Sequence, residues 1–233
     1  LFRSGDTRRA LAEAAAAVEG FPARQVPVVG VTGTNGKTTV TTLLQQAVQA
    51  TGGVAGRIGT TGVQVGERVI PSDMTTPEAP VLQRWLREMR GAEVVAMEVS
   101  SIGLVQQRVR GIPFAVGVFT NLGRDHLDFH GTEEAYAEAK ASLFREHLRE
   151  AGGAPRALLC GDDPAWGRMG APADRWLYGS EAGNDVRITS WDVGPEGLDL
   201  RVDLAGQALR LRSPLIGRFN ALNAVAALAA GVL

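Results

Sequence analysis

The spacing of apolar residues changes along the chain, and the changes mark out its elements. Behind Asp6-Thr7, small apolar residues from Arg8 to Val18 recur at helical spacing, which predicts a capped Ala-rich helix ended by Gly20 and Pro22. Val28 to Val31 is a continuous apolar run of strand length, followed by the turn Gly33-Thr34-Asn35-Gly36. Lys37, Thr38 and Thr39 then open a helix that carries Leu43, Leu44, Ala47 and Val48 on one side. Gly52 to Ile70, rich in Gly, Val and Thr, predicts short strands joined by tight turns. Thr76 stands as the N-cap of the next helix with Pro77 in its first turn. Glu93–Val99 and Phe114–Thr120 read as a second and a third apolar strand, and Thr132 caps a helix over Glu133–Arg149. Acidic Glu133 and Glu134 at its start, with Arg145, His147 and Arg149 near its end, match the helix dipole. Arg156–Cys160 predicts another strand and Asp162-Asp163-Pro164 a turn. Alternation from Asp185 to Leu211, broken at Gly194–Gly197 and Ala205–Gln207, predicts an antiparallel meander before a last helix over Ala221–Leu233. The whole pattern predicts an α/β fold: a mostly parallel sheet flanked by helices, plus a small antiparallel meander near the C-terminal end.

Composition narrows the function classes. With 233 residues, 45% of them hydrophobic, the chain can bury a real core. A formal net charge of -1 argues against a general affinity for nucleic acid or anionic membrane surfaces. No apolar run reaches the roughly 18 residues of a membrane span, so membrane insertion is not expected. The single Cys160 offers no internal disulfide and fits a reducing, cytoplasmic setting. The chain begins at Leu1 and stops inside an apparent helix, which leads us to expect a piece of a longer protein. Of its 24 basic residues all but Lys37 and Lys140 are arginine, so each surviving lysine marks a position where arginine would not serve.

The strongest chemical signal is the strand, glycine turn and helix of Val28 to Val48. Gly33 and Gly36 let backbone N–H groups turn onto an anion, the helix N-terminus adds partial positive charge, and Lys37 supplies a point charge for the outer phosphates. Thr38 would place its hydroxyl on Mg2+. The turn is shorter than the commonest P-loop, since Val31 stands where that pattern has its first glycine. Glu98 ends the second strand at the sheet edge where such folds bind ligands, a natural Mg2+ carboxylate. The third strand delivers Asn121, Arg124, Asp125, His126, Asp128 and His130 to that edge. Bland readings stand beside these: a lone histidine is usually structural, Thr75 and Thr76 could be a helix cap only, and Lys140 could be a solvated lysine in mid-helix.

Taken together, the motifs resemble a family. GTNGKTT (Gly33–Thr39), TTPE (Thr75–Glu78), MEVSS (Met97–Ser101), VFTNLGRDHLDFHG (Val118–Gly131), the helix carrying Ala139-Lys140, and GRFNALNAVAAL (Gly217–Leu228) resemble the Mur ligases, most closely their tripeptide-synthetase branch. The resemblance implies a central ATP-binding domain over 26–233 and, over 1–25, a connector from an N-terminal domain that holds a uridine nucleotide. It implies ATP and Mg2+ as cofactors, with Gly33, Thr34, Asn35, Gly36, Lys37, Thr38, Thr39, Asn121 and Asn220 binding nucleotide. By the same resemblance Thr38, Glu98 and His126 are metal ligands, and Lys140 joins them as a carbamylated lysine, so that Lys37, His126 and Lys140 form the catalytic set. Thr75, Thr76, Ser100, Gln106 and Arg108 fall on substrate-contacting positions, and Arg108 suits a carboxylate. The implied reaction activates UDP-MurNAc-L-Ala-D-Glu as an acyl phosphate for attack by a diamino acid, with no obligate protein partner evident. Whether that diamino acid is diaminopimelate or lysine is not legible in this chain.

Two residues depart from the pattern: Ile102 stands where these enzymes commonly carry His, and Met74 where some carry Asn. Folylpolyglutamate synthase, a relative with the same phosphate loop, is the near alternative, and TTPE, EVSS and Gln106-x-Arg108 favour the muramyl branch. A P-loop switch or motor ATPase would want a specificity motif that is absent, and Asp in place of Glu98. A non-catalytic nucleotide-binding homologue is the remaining alternative.

Overall fold

The computed structural model describes residues 4–148 and 156–233. Helix α1 (Thr7–Val18) begins as expected, with the Asp6 carboxylate accepting from the Arg8 and Arg9 backbone N–H groups. After a 3-10 turn at Pro22–Arg24 come β1 (Val28–Thr32), α2 (Lys37–Ala50), β2 (Ala55–Gly59), β3 (Gly62–Val65) and β4 (Arg68–Ile70). Then follow α3 (Ala79–Glu88), β5 (Val94–Glu98), α4 (Ser101–Val105), β6 (Val116–Phe119), α5 (Leu127–His130) and α6 (Glu133–Glu146). The second half holds β7 (Arg156–Cys160), a 3-10 turn at Pro164–Met169, β8 (Trp176–Gly179), β9 (Val186–Gly194), β10 (Gly197–Leu204), β11 (Gln207–Ser213) and α7 (Arg218–Val232).

Among the described residues, all 11 strands belong to one sheet in the order β11-β10-β9-β8-β7-β6-β1-β5-β2-β3-β4. From β9 to β2 every neighbouring pair is parallel, and antiparallel strands extend both ends. The central strands are buried on both faces, so they read as continuous apolar runs with no alternation: every residue of β1 and β6 is buried. The meander is present, and its first strand pairs parallel to β8, so it continues the main sheet and is not a separate unit.

Helices cover the sheet and fill its core. Val40 and Leu44 of α2 and Val225 of α7 are at most 1% exposed where the two helices pack together. Each such side chain contributes about 1.5–3 kcal/mol by leaving water. Helix α6 starts at the Thr132 cap, whose hydroxyl accepts from the Ala135 N–H, and ends at Glu146; the Arg149 end of the expected helix lies outside the described residues. Among the described residues, no helix is long and apolar enough to cross a membrane.

One expectation fails here. Thr76 does not cap α3: the N-cap is Glu78, with Pro80 in the first turn. The Thr76 hydroxyl instead donates to the Glu98 carbonyl at 3.0 Å and accepts from the Ser100 N–H at 3.0 Å. A long-range pairing recruits it, which a local reading of Thr-Pro cannot anticipate. The last helix also begins earlier than expected, so Asn220 lies on α7, with Asn223, and not before it.

Candidate functional site

Strand order reverses beside β1. From β1 the chain runs first to β2 and β5 on one side, then crosses to β6 on the other, so the loops leaving β1 and β6 part at their carboxyl ends. A crevice at such a point is where open α/β sheets hold ligands. The two loops are tied together: the Thr34 N–H donates to the Asn121 carbonyl at 2.9 Å, and the Asn35 N–H to Asn121 Oδ1 at 3.0 Å. Asn121 Nδ2 returns a bond to the Asn35 carbonyl at 3.1 Å.

The glycines are required where the loop turns. Gly36 has φ 90, and a Cβ there would run into the Asn223 side-chain amide; Gly33 has φ 147, and its Cβ would meet Thr120 Oγ1. A loop this close to its supports leaves no room for a side chain at either glycine, and its N–H groups that are not bonded to Asn121 are the ones left for an anion. Gly36→Ala should therefore cost about 1–3 kcal/mol of stability, read as a drop in melting temperature of at least a few degrees. An unchanged melting curve would show that Asn223 yields freely.

Both lysines converge on this loop. Lys37 Nζ donates to the carbonyls of Gly33 at 2.8 Å and Thr34 at 2.9 Å. Lys140 Nζ, from α6, donates to the same Gly33 carbonyl at 2.9 Å. Lys140 is 1% exposed and its Nζ lies 4.2 Å from the centre of the Tyr136 ring. Burial, and then the neighbouring Lys37 charge, push the Lys140 amine well below the ordinary lysine range, with Asp125 opposing them. Lys37 is lowered too, chiefly by burial, while Glu98 and Asp125 support its charge. Two full ammonium charges on one carbonyl repel, and the disfavour falls more heavily on Lys140, the more deeply buried of the two.

Glu98 is fully buried and pairs in register with Val31, the residue just ahead of the loop's approach. One of its oxygens accepts from the Thr60 N–H at 3.0 Å and the other from the Thr60 hydroxyl at 3.1 Å. Thr60 Oγ1 also lies 3.0 Å from Thr75 Oγ1, which links Thr75 to the carboxylate. His126 sits at φ 50, half exposed, with Nε2 3.5 Å from Asp125 Oδ2. Among the described residues, no three His, Cys, Asp or Glu side chains gather as a metal cage. Mg2+ does not need one, because it keeps several waters and is commonly held by one or two carboxylates plus phosphate oxygens. The donors present, the Thr38 hydroxyl and the Glu98 carboxylate beside a phosphate loop, fit that hard cation.

Beside the loop a cavity of about 600 Å3 opens between Asn35, Gly36 and Thr39 on one side and Asn121, Leu122 and Asp163 on another. Phe219, Asn220 and Asn223 of α7 close it. Asn220 Nδ2 donates to the Ile216 carbonyl at 2.9 Å, and Asn223 Nδ2 lies 3.3 Å from Asn220 Oδ1. The size suits a nucleoside, and its mouth adjoins the phosphate loop.

Of the expected acceptor contacts, Thr76 is committed to the backbone bonds already described. Ser100 caps α4, its hydroxyl accepting from the Gly103 N–H at 3.1 Å. Gln106 Oε1 accepts from Arg108 Nη2 at 2.5 Å, and Arg108 Nη1 donates to the Thr76 carbonyl at 2.8 Å. These residues form one connected wall running from α4 to Glu98. Reading the sequence missed several supports: Thr60 beneath Glu98, Tyr136 beside Lys140, Asn223 against Gly36 and Glu78 on Arg108. Tyr136 alone carried a signal, lying four residues before Lys140 and so on the same helix face.

This fold and site define a P-loop nucleotide-binding domain of the α/β type. The Mur ligase middle domain family matches residues 31–231, and the chain belongs to the Mur ligase family. It is 44% identical over 234 residues to a UDP-N-acetylmuramoyl-L-alanyl-D-glutamate--2,6-diaminopimelate ligase of Geobacter metallireducens, covering 97% of this chain and 46% of that protein. A solved structure of a ligase with the same name superimposes with a TM-score of 0.86 at 31% identity, covering 99% of this chain and 48% of that one. Mycobacterium tuberculosis folylpolyglutamate synthase complexed with ADP shares the fold at a TM-score of 0.77 and 20% identity, covering 95% of this chain and 57% of that one. The chain spans about half the length of the curated relatives it matches.

Proposed function

We propose that residues 26–233 are the central ATP-binding domain of an amide-bond ligase of peptidoglycan precursor synthesis, with residues 1–25 as a connector. The ligase adds diaminopimelate to UDP-MurNAc-L-Ala-D-Glu in the cytoplasm, and the names of the relatives 41–44% identical to this chain support that choice of amino acid over lysine. The observation that carries the reading is the convergence of Lys37 and Lys140 on the Gly33 carbonyl, with Glu98 at the end of the neighbouring strand β5. That arrangement suits phosphoryl transfer between two anions, which is mostly positioning and charge neutralisation.

In this reading the loop N–H groups and Lys37 hold the β- and γ-phosphates, and the cavity bounded by Asn121 and Asn220 holds the nucleoside. Thr38, Glu98, His126 and carbamylated Lys140 would hold Mg2+, which would supply positive charge to the transferring phosphoryl oxygens. Arg108, with Thr75, Thr76, Ser100 and Gln106, orients the acceptor so that its carboxylate meets the γ-phosphorus. The acyl phosphate so formed loses phosphate when the amine attacks.

The test is turnover by the full-length protein: ADP release that requires both UDP-MurNAc-L-Ala-D-Glu and diaminopimelate, and that a folate acceptor does not support. Release of ADP with folate alone would move the protein to the other branch. Arg108→Lys should raise the acceptor KM several-fold more than the ATP KM, since lysine keeps the charge and loses the planar fork. Equal effects on both substrates would assign Arg108 a structural task only.

A further inference from the structure

The Arg108 guanidinium is already nearly saturated by this chain. Its side chain is 12% exposed. Nη1 donates to the Thr76 carbonyl at 2.8 Å and faces Met74 Sδ at 3.3 Å. Nη2 donates to Gln106 Oε1 at 2.5 Å and lies 3.0 Å from Glu78 Oε1. Nε is buried and, among the described residues, has no partner. Nε and Nη2 together form the side-on edge of a guanidinium, the one that takes a carboxylate through two parallel bonds. Glu78 offers that edge one oxygen, on Nη2, and leaves Nε empty.

Glu78 has little else to do. It occupies the N-cap position of α3, yet its side chain makes no capping bond. Its carboxylate is 41% exposed, and Oε2 points back to Arg8 Nη1 of α1 at 3.8 Å. One carboxylate thus stands between two cations, one on the acceptor wall and one on the helix that opens the described chain.

We propose that Glu78 is an exchangeable counter-carboxylate for Arg108, holding the guanidinium before the acceptor arrives and then yielding the Nε/Nη2 edge to an acceptor carboxylate. The inference rests on the acceptor reading above and goes beyond it by adding a positioning residue and its second partner. An incoming carboxylate satisfies the orphaned Nε as well as Nη2, which Glu78 does not, and a buried orphan donor is costly to leave. Glu78 loses little on leaving, because its own carboxylate is 41% exposed and so stays partly hydrated, and Arg8 stands 3.8 Å away to receive it. Acceptor binding therefore draws Glu78 toward α1 and tightens the join between that helix and the catalytic domain.

Glu78→Gln in the full-length protein tests this, since it keeps size and an acceptor oxygen while removing the competing charge. The acceptor KM should fall about two- to fivefold with the ATP KM unchanged. A residue that merely propped Arg108 in place would raise the acceptor KM instead. Arg8→Gln should raise the acceptor KM, because Glu78 is left with Arg108 as its one partner, and this effect should vanish in the Glu78→Gln background. An acceptor KM that stays level or rises in Glu78→Gln, or an Arg8→Gln effect that persists without Glu78, overturns the proposal. Wild-type protein that never turns over this acceptor would sink the underlying reading and the proposal together.

Discussion

Lys140→Arg should lower the ligase turnover of the full-length protein by at least about a hundredfold, the scale on which a single charge-stabilising group is lost from a preorganised site. The expectation follows from where the amine sits. Lys140 is buried, its Nζ is bonded to the Gly33 carbonyl at 2.9 Å, and Lys37 Nζ reaches the same oxygen. An amine whose charged form is disfavoured in this way can give up its proton and attack CO2, forming an N–C bond and releasing a second proton, so that the product carries one negative charge. The carbamate nitrogen keeps one N–H, so the bond to the Gly33 carbonyl survives the change. The repulsion from Lys37 becomes an attraction, and a carboxylate appears beside the phosphate loop, where a hard cation wants one. Arginine cannot follow this course, because its guanidinium stays protonated under all these conditions.

Lys140→Ala should lose a similar fraction of activity and recover part of it when a small carboxylic acid such as formate is added, since the acid can fill the space and replace the charge. Carbon-13 NMR with labelled bicarbonate should show a carbamate signal in wild type that both variants lack. Near-normal turnover in Lys140→Arg would remove Lys140 from the catalytic set. A labelled signal that survives in Lys140→Ala would place the carbamate elsewhere.

The parts of this site that were legible in the sequence are those whose determinants are local. Gly33 to Thr39 speaks through a backbone that only glycine accommodates and a lysine that must follow it, and Asp6 and Thr132 cap the helices directly behind them. The apolar runs of β1, β5 and β6 were legible because strands buried on both faces leave no alternation to confuse them. Less was legible where the partner lies far along the chain. Strand β8 is a four-residue run, WLYG, whose place is set by pairing with β7 and β9. Thr76 reads as a helix cap until Glu98, 22 residues on, takes its hydroxyl. Helices α4 and α5, of five and four residues, are too short to impose a period. The ion pair of Arg108 with Glu78 was hidden for the same reason: Arg108 comes 30 positions after Glu78, and the fold sets the two side chains 3.0 Å apart.

Lys37→Ala should weaken ATP binding by this chain about tenfold or more, through loss of charge-assisted contacts worth roughly 1.5–3 kcal/mol. The lysine spans the turn, bonding the carbonyls of Gly33 and Thr34, so its ammonium is held against the loop that would face a phosphate. Burial lowers its pKa, but the nearby charges of Glu98 and Asp125 oppose that shift, and an arriving triphosphate would oppose it further. The loss can be read without any acceptor, because a ligand stabilises the folded state in proportion to its occupancy. At a concentration of a hundred wild-type Kd, ATP with Mg2+ should add about 2.7 kcal/mol to the stability of the unsubstituted chain, and a tenfold weaker variant keeps only about 1.4 kcal/mol. Thermal unfolding with and without nucleotide should therefore show the variant's nucleotide-dependent shift cut to about half, and calorimetry should give the matching Kd. The same pair of measurements separates a binding role from a structural one. If Lys37 mainly braces the turn, the variant melts lower without nucleotide while its ATP affinity stays level, and the lysine is then a scaffold for the loop and not a ligand to the phosphates.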